Sequence, residues 1–129
     1  MPKKLLVFAS IAEIGTGLAL IVDPQLVVVL LLGEDLSGVG IPVARCFGVA
    51  LLALGLACWP NGANVRSDSP AFRAMLIYSV LIALFLVYLF TVGHLHGVLL
   101  WPAAALHAAV ALLLVKSWSD ERRTKARGT

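Results

Sequence analysis

Apolar residues run almost unbroken through four stretches of the chain, at about residues 4–22, 39–59, 71–92 and 98–118. Polar or charged residues separate them. Each stretch is near the ~20 residues that a helix needs to cross a ~30 Å hydrocarbon core. The pattern predicts an all-α integral membrane four-helix bundle, formed as a single domain over residues 1–129. A fifth apolar piece follows the first stretch. Asp23 can cap a helix there, Pro24 fits its first turn, and Gly33 can stop it. Residues 24–33 are too few to cross, so a short interfacial or re-entrant helix is expected.

The connecting segments support this division. Glu34, Asp35, Leu36, Ser37 and Gly38 make an acidic loop, and residues 61–70 a polar one. Residues 93–97, Gly-His-Leu-His-Gly, read as a tight turn. Trp59-Pro60 and Trp101-Pro102 mark span ends, where aromatic side chains favour the membrane interface. Residues 119–129 form a charged tail that is expected to fray. Lys3 and Lys4 ahead of an apolar run resemble the start of a signal peptide. Glu13 interrupts that run and no small-residue cleavage pattern follows Val22, so a retained signal-anchor helix is expected.

Composition agrees with a membrane protein. Apolar residues are 60% of the chain and charged residues 13%, against ~45–50% and ~25% in soluble domains. Nine of the ten Lys and Arg residues lie at the N-terminus, in the middle loop, in the tail or at their edges. The opposite side has Asp23, Glu34 and Asp35. The net charge of +3 therefore reads as juxtamembrane charge facing the lipid bilayer, not as a nucleic-acid surface. By the positive-inside rule both termini are cytoplasmic in a bacterial inner membrane. Cys46 and Cys58 are twelve residues apart on one predicted helix, about 18 Å at ~1.5 Å per residue, too far for a disulfide.

Away from their edges, the apolar stretches hold three residues of the Glu, Arg and His type: Glu13, Arg45 and His107. Such groups are costly in a membrane and raise a functional hypothesis. The helical neighbours of Glu13 are Ala9, Ser10, Thr16 and Gly17, a small and polar face. Arg45 shares a stripe with Gly48, Leu52 and Gly55, and Ala44 with Gly48 makes a small-xxx-small pair. Gly15, Gly17, Ala44, Gly48 and Gly55 are thus expected to be helix-packing positions. Counting residues from the span ends brings Glu13, Arg45 and His107 to similar depth. A Glu13–Arg45 ion pair with His107 beside it is expected, either as a structural clasp or as a ligand or proton site. His94 and His96 form a weak metal candidate in the outer turn. Facing axial ligands for haem are lacking, no nucleophile triad is spaced for catalysis, and no cofactor is expected. Tyr78 and Tyr88 read as packing or interface residues.

The segment Ala12-Glu13-Ile14-Gly15-Thr16-Gly17 resembles the first helix of small multidrug resistance transporters. In that family a first-helix glutamate exchanges protons for cationic drugs, which the resemblance maps onto Glu13. Asp23-Pro24, Gly33, Arg45-Cys46-Phe47-Gly48 and Leu54-Gly55 together resemble an uncharacterised family of small four-helix bacterial membrane proteins. That resemblance implies architecture only. The reading is a non-enzymatic accessory or assembly subunit, within a homo-oligomer or a larger membrane complex. The alternative is a small proton-coupled transporter or a binder of an amphipathic ligand.

Overall fold

The computed structural model of the protein describes residues 2–62 and 66–128. Residues 63–65 of the polar loop, and residues 1 and 129, lie outside that description. Among the described residues five helices follow one another: α1 (Pro2–Val22), α2 (Pro24–Leu32), α3 (Gly40–Ala57), α4 (Pro70–Thr91) and α5 (Leu100–Arg127). Four of them, α1, α3, α4 and α5, are long and apolar enough to cross a membrane. The nine residues of α2 span about 13 Å at ~1.5 Å per residue, less than half of the core.

Local sequence explains the helix ends. The Asp23 side chain accepts from Leu26 N and starts α2, with Pro24 in the first turn. Gly33 ends it at φ 78°, a left-handed conformation that glycine adopts without a Cβ penalty. Ser69 caps α4 by accepting from Phe72 N. Gln25 then staples the next loop. Its amide donates to Asp35 at 2.8 Å and accepts from Leu36 N at 3.0 Å.

Two antiparallel hairpins make the bundle, α1 with α3 and α4 with α5, and α1 joins them by packing on α5 and α4. In the first hairpin, backbones touch. A Cβ on Gly17 would lie 2.7 Å from Gly48 O, and one on Gly55 would lie 2.8 Å from Ser10 O. Without a hydrophobic force between helices in lipid, this close approach is the main source of cohesion. At the end where α1 begins, Leu6, Phe72, Met75 and Leu114 fill the core. Toward the other end, Leu86, Leu100 and Ala104 form a second apolar cluster.

That second end is tied by backbone hydrogen bonds. His96 N donates to Leu32 O at 3.1 Å, and Leu99 N to Leu30 O at 2.8 Å. The α4–α5 turn thus sits directly on the C-terminus of α2. A Cβ on Gly97 would overlap the Leu31 carbonyl at 2.1 Å, so only glycine fits.

The tail is not frayed as the sequence reading expects. Helix α5 runs unbroken to Arg127. Side chains one turn apart support it: Lys125 meets Glu121 at 3.4 Å, and the Arg122 guanidinium lies 4.1 Å from the Trp118 ring. Glu121 also accepts from both the backbone N–H and the hydroxyl of Ser67, which fastens the tail to the loop before α4. Such local pairs add small increments to a helix already nucleated by its membrane half.

Candidate functional site

A layer of polar side chains lies between the apolar clusters at the two ends of the bundle. Helix α1 supplies Ser10 and Glu13, α4 supplies Tyr78 and Ser79, and α5 supplies His107. Each occupies the buried stripe of its helix or borders it. On α1 the stripe is Leu6, Ala9, Ser10, Glu13, Gly17 and Leu20, the spacing of a helix with one protein-facing side.

Glu13 is only 4% exposed. Its Oε1 lies 3.8 Å from His107 Nδ1, an ion-pair contact if the imidazole is protonated, and longer than a hydrogen bond. The Tyr78 hydroxyl interacts with the same carboxyl, and the Tyr78 ring stands edge-on to His107 with centroids 5.5 Å apart. The acid is therefore held by side chains from two other helices. Ser10 and Ser79 are fully buried, and neither hydroxyl has a hydrogen-bond partner among the described residues. The set can hold or share a proton among a carboxyl, an imidazole and a phenol in dry surroundings.

Arg45 is not part of it. Glu13 and His107 come together as expected, but Arg45 is exposed on α3 and makes no ion pair among the described residues. Helix register is the reason. Gly17 meets Gly48 and Leu52, while Gly55 meets Ser10 and Ile14. Extending that register places Arg45 level with about Val22, roughly 13 Å along the axis from Glu13. Matching the spans at their ends misplaces α3, which starts beyond the end of α1 to make room for α2. Arg45 also points away from the buried stripe of Ala44, Gly48, Leu51 and Gly55.

Of the expected packing positions, Gly17, Ala44, Gly48 and Gly55 are buried in helix contacts. Gly15 is not: it is exposed, and a Cβ there would meet nothing within 4 Å. Two residues from Glu13 is about 200° around the helix, so Gly15 faces outward. His94 and His96 do not gather a metal site. Among the described residues no three His, Cys, Asp or Glu side chains cluster. His94 is exposed with φ 52°, and the His96 ring packs edge-on against Phe90 at 5.0 Å.

Tyr78 is one of two site residues, with Ser79, that sequence reasoning missed. Its position gives a signal: it lies eight residues inside α4, deeper than an interfacial aromatic needs to be, and beside Ser79, a polar residue in the apolar stripe Phe72, Met75, Leu86. The chain matches no protein-family model, no curated protein and no solved structure.

Proposed function

We propose that this multi-pass membrane protein is a non-enzymatic accessory or assembly subunit of a bacterial inner membrane, with both termini cytoplasmic. The observation that carries this reading is the enclosure of Glu13 by His107 and Tyr78. The acid is used between the protein's own helices, as a clasp that fixes their register, and is closed off from water. Two features of the outer surface support assembly with other helices. Gly15 leaves open space on the outward face of α1 among Ile11, Leu18 and Val22, a place where another helix can approach closely. Arg45 carries a charge with no ion-pair partner among the described residues. Nine Lys and Arg at the end where α1 begins support this orientation, because such a bias marks cytoplasmic loops.

The test is co-purification in mild detergent. Wild type is expected to bring down a stable membrane complex. Gly15→Leu should release it while leaving the isolated chain folded, because the new side chain points outward. Retention of every partner by Gly15→Leu would remove this face from the reading. Cysteine labelling at Gly128 and Ser37 checks orientation, and labelling of Gly128 from outside intact cells would reverse it.

A second reading, proton-coupled transport, draws on the ionisable partner His107 and the Tyr78 hydroxyl beside Glu13. Substrate-driven proton release from proteoliposomes that vanishes in Glu13→Gln would promote it over the first.

A further inference from the structure

A groove of about 830 Å³ opens between the start of α1 and the last membrane turns of α5. It is independent of the Glu13 layer and of the outward face of α1. Its floor is apolar, with Leu5 and Leu113, and its rim carries Lys4, Lys116, Asp120 and Glu121. We propose that this groove holds one glycerophospholipid whose headgroup combines a phosphate with a primary ammonium, as in phosphatidylethanolamine.

The argument begins with depth. Lys116 stands about 24 Å along α5 from Leu100 and Asp120 about 30 Å, at ~1.5 Å per residue. On this count Asp120 stands at the edge of a ~30 Å hydrocarbon core and Lys116 about 6 Å inside it, a distance that a lysine stem can span to reach the headgroups. Lys4 comes from the first turn of α1 and lines the same groove as Lys116. The rim therefore sits where headgroups lie, and the floor where acyl chains begin.

Charge then selects the headgroup. Glu121 is already engaged, by Ser67 and by Lys125. Lys4, Lys116 and Asp120 are exposed and have no ion pair among the described residues. Two ammonium groups near the bilayer suit a phosphate oxygen set. The free carboxylate one helical turn farther out suits a cation beyond that phosphate. Lys116 and Asp120 are four residues apart with the lysine first, the less favourable order for pairing with each other. This leaves both side chains available. A purely anionic headgroup would meet Asp120 as a like charge. A choline headgroup offers no N–H to that carboxylate.

The experiment is native mass spectrometry of the full chain with phosphatidylethanolamine, phosphatidylcholine and phosphatidylglycerol of matched acyl chains. Wild type should retain the ethanolamine lipid about tenfold better than the choline lipid, a factor of ordinary size for one charged contact. Asp120→Asn should erase that preference. Lys4→Ala with Lys116→Ala should lower retention of all three lipids, and Arg127→Ala should change nothing. All these side chains are exposed, so the fold is not at risk. Equal retention of the three lipids by wild type would overturn the proposal. So would the best retention of phosphatidylglycerol, an ethanolamine preference that survives Asp120→Asn, or undiminished retention of all three lipids by the double lysine variant.

Discussion

The two interfaces of α1 hold it by different physics. Against α3 it is bound by absence: Gly17, Gly48 and Gly55 remove side chains, and the backbones touch. Against α4 and α5 it is bound by presence, through Glu13, Tyr78 and His107. The first contact depends on shape alone and is blind to charge. The second depends on protonation and on the completeness of a polar set that lipid cannot satisfy. A small membrane protein thus gains rigidity on one side of a helix and chemical sensitivity on the other, within a few residues of sequence.

The comparison is broken most severely at the polar interface. His107→Ala removes the imidazole that packs beside the buried Glu13 carboxyl and should cost about 1–3 kcal/mol or more, from the lost packing and the polar group left without its neighbour. Replacing both, as Glu13→Leu with His107→Leu, should recover much of that loss. Reversible unfolding in mixed detergent micelles measures both, and additive losses in the double variant would refute the pairing. Gly48→Leu tests the other face. The nearest atoms there are Gly17 O at 2.8 Å and Leu20 Cβ at 2.8 Å, so the hairpin must open, at about 1–3 kcal/mol or more. That loss should be the same across pH, whereas the cost of His107→Ala should vary with it.

Smaller effects sharpen the contrast. Ser79→Ala removes a buried hydroxyl that has no partner, and should be neutral or stabilising by about 1 kcal/mol, since no bond is lost. A destabilisation above about 1 kcal/mol would mean that the hydroxyl is bonded within the polar layer. Arg45→Ala should change the stability of the isolated chain by no more than about 0.5 kcal/mol, as at other exposed positions. A loss as large as that of His107→Ala would restore Arg45 to the clasp.

Much of this architecture was legible in the residues themselves. Hydropathy marks the four spans, and Asp23-Pro24 and Gly33 mark α2 to within a residue or two. Glu13 and His107 identify themselves because an ionisable side chain in an apolar run needs a partner. What hydropathy does not encode is axial register between helices. Counting from span ends matches Arg45 to Glu13, yet the glycine contacts slide α3 outward by about six residues. Tyr78 was hidden because tyrosine is ordinary at membrane interfaces, and only its depth distinguishes it. The tail reads as polar and loose, but Glu121, Arg122 and Lys125 each find a partner once the helix continues.

The seating of the α4–α5 turn on α2 also has a meaning in time. Leu30 and Leu32 present carbonyls at the end of a short helix, where no further helical turn can donate to them. Their donors are the N–H groups of Leu99 and His96, which a ribosome makes only after all of α4. A nascent chain carrying α1, α2 and α3 is therefore unfinished at that end. In a bilayer, open backbone groups are poorly tolerated, so water or insertion machinery must shelter these two until the last hairpin arrives. The order of synthesis becomes an order of closure, with Gly97 as the final piece set in place.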